Sequence, residues 1–93
     1  MRISYSPESI EDLKRLREFI EVKNPQAAKK VAESILKGIT QLKSFSNLGA
    51  EVSLAPKPEM IRDLIINKYV VRYLVHSGVI YILRVWHQKE KRL

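Results

Sequence analysis

The sequence contains no cysteine, only two histidines and three glycines, and no long uninterrupted run of apolar residues. Without cysteine, disulfide bonds, cysteine-ligated metal centres and thiol nucleophiles are excluded. Two histidines alone do not make a metal site, so no metal or other cofactor is expected. Arg72, His76 and Arg84 interrupt the longest apolar segments, which leaves no candidate membrane span. The N-terminal residues also lack the apolar core of a signal peptide, and we expect a cytoplasmic location.

Acidic residues are fewer than basic ones. The chain has ten Asp and Glu and 17 Lys and Arg, which gives a formal net charge of +7. A surface of this sign attracts nucleic acid, ribosomes or an acidic protein. The same lysines could serve solubility alone, so the charge by itself leaves the partner open. A chain of 93 residues fits one domain, and no repeat or linker divides residues 1–93.

The N-terminal half of the sequence indicates one short strand followed by two helices. Arg2 to Tyr5 alternates apolar and polar residues, as a strand does. Ser6-Pro7 and Asn24-Pro25 each combine a capping residue with a proline suited to the first helical position. The first helix is predicted to run to about Val22. The short connection at Lys23-Asn24 predicts that the two helices form an antiparallel hairpin.

The C-terminal half is predicted to form a sheet. Phe45 to Glu59 is rich in Ser, Asn, Gly and Pro and indicates a loop. Asn67-Lys68 and Ser77-Gly78 indicate two-residue turns between strands rich in β-branched and aromatic residues. These strands are Ile61–Ile66, Tyr69–His76 and Val79–Trp86. The order β-α-α-β-β-β predicts an α+β domain, with the helical hairpin packed on one face of a mainly antiparallel sheet.

Two-residue turns also fix the register of the strands, since strand side chains alternate between the two faces. Tyr73 is expected opposite Ile82, Val71 opposite Arg84, and Arg72 opposite Leu83. The face richer in aromatic residues, which includes Trp86, is expected to contact the helices. The predicted core consists of Ile10, Leu13, Leu16, Val31, Ile35, Ile39, Leu64, Val71, Tyr73 and Ile82.

Three arginines of the strands are interpreted first as structural. Arg62 and Arg84 are placed near the edge of the core, where a guanidinium needs a carboxylate or carbonyl partner. Asp12 on the first helix is the expected carboxylate. On the other face, Asp63 and Arg72 are expected to form a cross-strand ion pair.

The strands carry the pattern Arg-x-Leu from Arg62 to Leu64, then Tyr-x-hydrophobic-x-Tyr from Tyr69 to Tyr73, and an apolar strand that ends in His87. Ser6-Pro7 and Asn24-Pro25 open the two helices. With the element order, this combination resembles the RelE/ParE superfamily, the toxins of type II toxin–antitoxin pairs that stabilise plasmids or chromosomes. The resemblance covers nearly the whole chain.

The resemblance implies one of two activities. RelE-like members are ribosome-dependent mRNA endonucleases, and they carry basic residues at the positions of Ile61, Asp63 and Val70. ParE-like members poison DNA gyrase and are not known as nucleases. Here Ile61 and Val70 are apolar, and the acidic Asp63 would repel a phosphate. The sequence therefore favours the ParE-like branch, whose members catalyse no reaction of their own.

The site residues differ between these interpretations. For a gyrase poison no catalytic residue is expected, and the basic C-terminal end is the predicted target-binding surface, with the Ser44–Glu59 loop nearby. Its predicted residues are Arg72, His87, Lys89, Lys91 and Arg92. The alternative, an mRNA endonuclease, would use His87 for acid–base work, together with Arg72, Arg84 and Lys89. A third possibility is an inactive toxin that serves only as the antitoxin-binding corepressor.

The resemblance also implies a protein partner. It is a ParD-like antitoxin whose acidic, disordered C-terminal segment folds as it wraps the toxin in a hetero-oligomer. A sheet edge can accept an added strand, and the groove of a helical hairpin can accept an amphipathic helix. No membrane partner is expected, and direct binding of nucleic acid is left open.

Overall fold

The computed structural model describes residues 1–57 and 60–90. In that part of the chain, two helices cover one face of a five-stranded sheet. The elements are β1 Arg2–Tyr5, α1 Pro7–Lys23, α2 Pro25–Gln41, β2 Ala50–Glu51, β3 Ile61–Ile66, β4 Tyr69–His76 and β5 Val79–His87. The strand order is β1-β5-β4-β3-β2; β1 is parallel to β5 and the other neighbours are antiparallel. The predicted α+β architecture is therefore confirmed.

Both helices begin where the capping residues predict. The Ser6 side chain accepts a hydrogen bond from the Ser9 amide at 3.0 Å, and Asn24 Oδ1 accepts one from the Ala27 amide at 3.1 Å. Asn24 also ends α1, because its amide donates to the Ile20 carbonyl. One residue thus separates the helices, which makes the hairpin tight. Among the described residues, neither helix is long and apolar enough to span a membrane.

The segment after α2 corrects one prediction, since it is not a loop throughout. Ala50 and Glu51 pair with β3 as the edge strand β2. The Tyr73 hydroxyl holds the chain in place by donating to the Ser46 carbonyl at 2.8 Å and accepting from the Gly49 amide at 2.9 Å. A two-residue strand is too short to show an alternating pattern. The remaining predicted loop residues 58 and 59 lie outside the described part of the chain.

The register of β5 corrects a second prediction. Tyr73 lies opposite Ile82, as expected, but a β-bulge follows, so that Arg72 is opposite Arg84 and Val71 opposite Val85. Because a bulge adds one residue to one strand, the faces exchange beyond it. Val85 is therefore fully buried in the core, and Trp86 lies on the face of the sheet away from the helices. We call that face the outer face.

The core lies between the helices and the sheet. Of the predicted core residues, seven are buried: Leu16, Ile35, Ile39, Leu64, Val71, Tyr73 and Ile82. Leu13 and Val31 pack against this cluster but remain partly exposed. The prediction for Ile10 was wrong, because its side chain is 42% exposed on the hairpin. The apolar stripe of α1 is thus wider than the surface that the sheet covers.

Candidate functional site

The turn after β5 lies beside the turn between β3 and β4. The Gln88 amide donates to the Lys68 carbonyl at 2.8 Å, so Lys68 and Lys89 belong to the same end of the sheet. The Tyr69 and His87 rings meet edge to face, with centroids 5.1 Å apart. His87 Nδ1 accepts a hydrogen bond from the Lys89 amide at 3.0 Å. In the neutral ring the proton is then on Nε2, which is the nitrogen that can donate to a partner.

Glu90 fastens this C-terminal turn to α1. Arg15 Nη1 donates to both carboxylate oxygens of Glu90 at 2.9 Å, and Glu90 also accepts from the His87 amide at 3.3 Å. The hydrogen bond to Glu90 is the main cause that raises the pKa of Arg15. Burial raises the pKa of Tyr69, and the charge of Glu90 adds to the effect. This contact could not be predicted from sequence patterns, because 75 positions separate the two residues.

A groove of about 690 Å³ lies between α1 and this end of the sheet. We call it the C-terminal groove. Its lining is Arg15, Leu16, Phe19, Ile20, Tyr69, His87, Lys89 and Glu90. Phe19 is 67% exposed, although aromatic residues usually bury much of their surface. The groove thus combines apolar side chains with the cations of Arg15 and Lys89 and with the Glu90 carboxylate that Arg15 binds. A segment with apolar and acidic side chains would fit this lining if its carboxylate took the place of Glu90.

A second groove, of about 220 Å³, lies between α1 and α2, and we call it the interhelical groove. Most of its lining is apolar, and Lys14 and Arg17 are its two charged residues. Ile10 and Leu36 in this lining are 42% and 49% exposed. The hairpin therefore presents partly exposed apolar side chains with the cations of Lys14 and Arg17 beside them.

The predicted target-binding residues do not all meet. His87 and Lys89 lie together in the C-terminal groove, whereas Lys91 and Arg92 lie outside the described residues. Arg72 is on the outer face, where its guanidinium donates to Asp63 at 2.8 and 2.9 Å and lies 5.1 Å from the Trp86 ring centroid. The hydrogen bond to Asp63 is the main cause that raises the pKa of Arg72. Arg72 is thus held by a carboxylate of its own chain.

The two other arginines, Arg84 on β5 and Arg62 on β3, are held by different partners. Arg84 donates to the Asp12 carboxylate at 2.8 and 3.0 Å, so the structure brings these two residues together. Arg62 donates to the Gly49 carbonyl at 2.7 Å and lies 3.6 Å from the Glu51 carboxylate. A carboxylate or carbonyl partner was expected for both arginines, and Arg62 has the Gly49 carbonyl; only Asp12 was the wrong carboxylate for Arg62, because β2 brings Glu51 to it.

Asp12 is the most buried carboxylate of the described chain, with 4% of its surface exposed. Beside the bonds from Arg84, it accepts one from the Val85 amide at 2.9 Å. Burial alone raises the pKa of the Asp12 carboxyl, but the hydrogen bonds from Arg84 and Val85 and the charge of Arg84 outweigh it, and the pKa lies below its ordinary value. Within residues 1–57 and 60–90, no cluster of three His, Asp or Glu could hold a metal ion.

Comparison with known proteins gives a consistent result. The family model for the ParE toxin of the type II toxin–antitoxin system parDE matches residues 3–92. Toxin RelE3 of Caulobacter vibrioides (strain ATCC 19089 / CIP 103742 / CB 15) is 29% identical over 94 residues, which cover 97% of each chain. The solved chromosomal ParDE toxin–antitoxin system from P. aeruginosa superposes with a TM-score of 0.78 at 23% identity, covering 94% of this chain and 95% of that one. At that identity the likeness concerns the fold.

Proposed function

The chain belongs to the ParE toxin family of type II toxin–antitoxin systems, and on this premise we propose that it poisons DNA gyrase and is neutralised by a ParD-like antitoxin. In this proposal the toxin acts in the cytoplasm. It binds gyrase and traps an intermediate of the topoisomerase cycle in which the DNA is cleaved. The chemistry of cleavage belongs to gyrase, and the toxin contributes binding energy alone.

The ion pair between Asp63 and Arg72 is the main observation that argues against a nuclease. RelE-like enzymes resemble one another in having basic residues at the positions of Ile61, Asp63 and Val70. Here the Asp63 carboxylate accepts hydrogen bonds from two nitrogens of Arg72, at 2.8 and 2.9 Å. An mRNA phosphate on the outer face would have to displace this carboxylate from Arg72 and would be repelled by its charge.

The interhelical groove supports the antitoxin part of the proposal. An amphipathic helix can place its apolar face in such a groove, with anchors one turn apart. Lys14 and Arg17 stand beside it, and each lies next to a carboxylate of α1, Glu11 at 3.7 Å and Glu21 at 3.1 Å, with which an acidic partner would compete. The net charge of +7 has the same sign. A disordered acidic segment that folds on binding could cover this area, at an entropic cost of ordering.

One contact favours the second candidate, an mRNA endonuclease. Tyr69 from β4 lies edge-on to His87 on β5, and some relatives use a His-Tyr pair at the end of the last strand. In this sequence no tyrosine follows Tyr81, so Tyr69 is the phenol that would serve. His87 Nε2 would then act as the acid or base, with Lys89 as the nearby cation.

A gyrase assay tests the proposal. The purified chain would be incubated with gyrase, supercoiled DNA and ATP, and the DNA analysed after detergent and protease treatment. We expect linear DNA that accumulates with toxin concentration. Ribosome-dependent cuts in mRNA, mapped by toeprinting and lost in His87→Ala, would instead establish the endonuclease. Absence of both products would leave the third possibility, a toxin that acts only as a corepressor.

A further inference from the structure

Helix α1 separates the two grooves, and they share part of its surface. Leu16 and Ile20 contribute to the lining of both. Phe19 lies on the side of the C-terminal groove and is 67% exposed. A peptide that occupies the interhelical groove could therefore reach the C-terminal groove across Ile20, the partly exposed apolar residue that both linings contain.

The C-terminal groove already holds a carboxylate of the same chain. Glu90 receives two hydrogen bonds of 2.9 Å from Arg15. The side chains of Arg15 and Glu90 remain 42% and 29% exposed, and ion pairs exposed to this degree are weak. Arg15 also lies 3.5 Å from the buried carboxylate of Asp12, which keeps its guanidinium at the groove when Glu90 leaves.

We infer that the C-terminal groove binds an acidic, apolar segment of the antitoxin, and that Glu90 is an internal competitor of that segment for Arg15. A carboxylate of the partner replaces Glu90 on the guanidinium, while apolar side chains of the partner cover Phe19 and Ile20. This inference rests on the proposed function, since it names a second surface for the same antitoxin.

The exchange also changes the end of the sheet where the target-binding residues were predicted. Glu90 accepts a hydrogen bond from the His87 amide, and it closes the turn that carries Lys89. When Glu90 leaves Arg15, that turn loses the ion pair that joins it to Arg15 on α1. Occupation of the groove by the antitoxin then alters the surface around His87 and Lys89 as well as covering it.

The test measures binding of the full-length protein encoded beside this chain's gene. The wild type, Glu90→Gln and Glu18→Gln would be titrated against the immobilised partner. Glu18 is an exposed residue of α1 outside both grooves, so its variant makes the same change of net charge. Removing the competitor should tighten binding by roughly two- to fivefold in Glu90→Gln, the range expected for an exposed ion pair, and less in Glu18→Gln.

Arg15→Gln provides the second arm. If Glu90 competes for Arg15, the gain from Glu90→Gln should vanish in the Arg15→Gln background. Thermal melting of each variant, followed by circular dichroism, would show that all are folded. Equal binding by Glu90→Gln and Glu18→Gln, or a gain that persists without Arg15, would overturn the inference and leave the antitoxin pairing intact. Absence of any binding by the wild type would overturn the pairing itself.

Discussion

The carboxylate of Asp12 on α1 receives two hydrogen bonds from the guanidinium of Arg84 on β5, at 2.8 and 3.0 Å. The two residues are 72 positions apart, and Arg84 lies at the β-bulge. Asp12 also accepts from the Val85 amide, and Ser6 Oγ donates to the Leu83 carbonyl at 2.9 Å. Polar side chains from the start of α1 thus bind backbone groups around the bulge and hold the helix to the strand.

Asp12→Ala is predicted to destabilise the fold. Removing one partner of a buried ion pair costs about 3–5 kcal/mol, and because Arg84 is 40% exposed we expect roughly 2–3 kcal/mol. Urea denaturation followed by circular dichroism would measure the change. Glu11→Ala is the control, since Glu11 is exposed and its change should stay within about 0.5 kcal/mol. Equal costs for both variants would contradict the structural role of Asp12.

The stability of the fold should depend on Asp12 at acid pH. Because the pKa of Asp12 is lowered in the folded chain, its ionised form contributes stability above the ordinary value of 3.8. That contribution is lost as the pH falls through the lower pKa of the folded state. We expect the free energy of unfolding to fall more steeply below pH 3.8 in the wild type than in Asp12→Asn. Parallel curves from denaturation at a series of pH values would rule this out.

Gly49→Ala should destabilise the segment that carries β2. A Cβ atom at Gly49 would lie 2.8 Å from the Asp63 carbonyl oxygen and 2.8 Å from the Tyr73 ring, and a backbone atom cannot easily move aside. We expect a cost of about 1–3 kcal/mol in thermal or urea unfolding. Gly38→Ala is the matched comparison, because the three atoms nearest to its Cβ would all belong to the Ile66 side chain, which can move more easily than backbone, and alanine favours the helix. A larger cost at Gly38 would be the contradicting result.

Local signals were sufficient to predict the helices and the three long strands. Ser6 and Asn24 cap the helices through their own side chains, and a residue can be recognised as a cap from its neighbours. The bulge in β5 could not be predicted in this way, because apolar residues occur on both faces of that strand. A shift of one residue in the register, which turned Val85 toward the helices and Trp86 to the outer face, left the pattern of the strand plausible.

The site was less predictable than the fold. His87 and Lys89 could be proposed from sequence because His87 ends the last strand and Lys89 comes two residues later. The bond from Arg15 to Glu90 could not, since it depends on how α1 crosses the end of the sheet. Ile10 and Phe19 follow the helical period of the core residues, and sequence alone does not show that the sheet leaves them uncovered. Their exposure is the observation on which the proposed partner surface of α1 rests.

Association with the antitoxin should depend strongly on salt. Long-range attraction between the +7 toxin and an acidic segment speeds their encounter. Salt weakens this attraction, because the electrostatic screening length is about 10 Å at 0.1 M salt. We expect added salt to lower the association rate more than it raises the dissociation rate, which depends on the apolar anchors. Surface plasmon resonance across a salt series gives both rates. An association rate that does not change with salt would show that electrostatic steering plays no part in binding.

The end of the sheet that carries Lys68 and Lys89 should be needed for gyrase poisoning. The two lysines are on adjacent turns joined by the bond from the Gln88 amide to the Lys68 carbonyl, so they can contact one target surface. If each exposed contact contributes about 0.2–1 kcal/mol, Lys68→Ala with Lys89→Ala should weaken the yield of cleavage complexes by about two- to thirtyfold. The same loss of charge on the exposed surface of α2, in Lys29→Ala with Lys30→Ala, should have little effect. Because both double variants lower the net charge equally, a similar loss of activity in the two would show that overall charge matters and that this end of the sheet is not the contact surface.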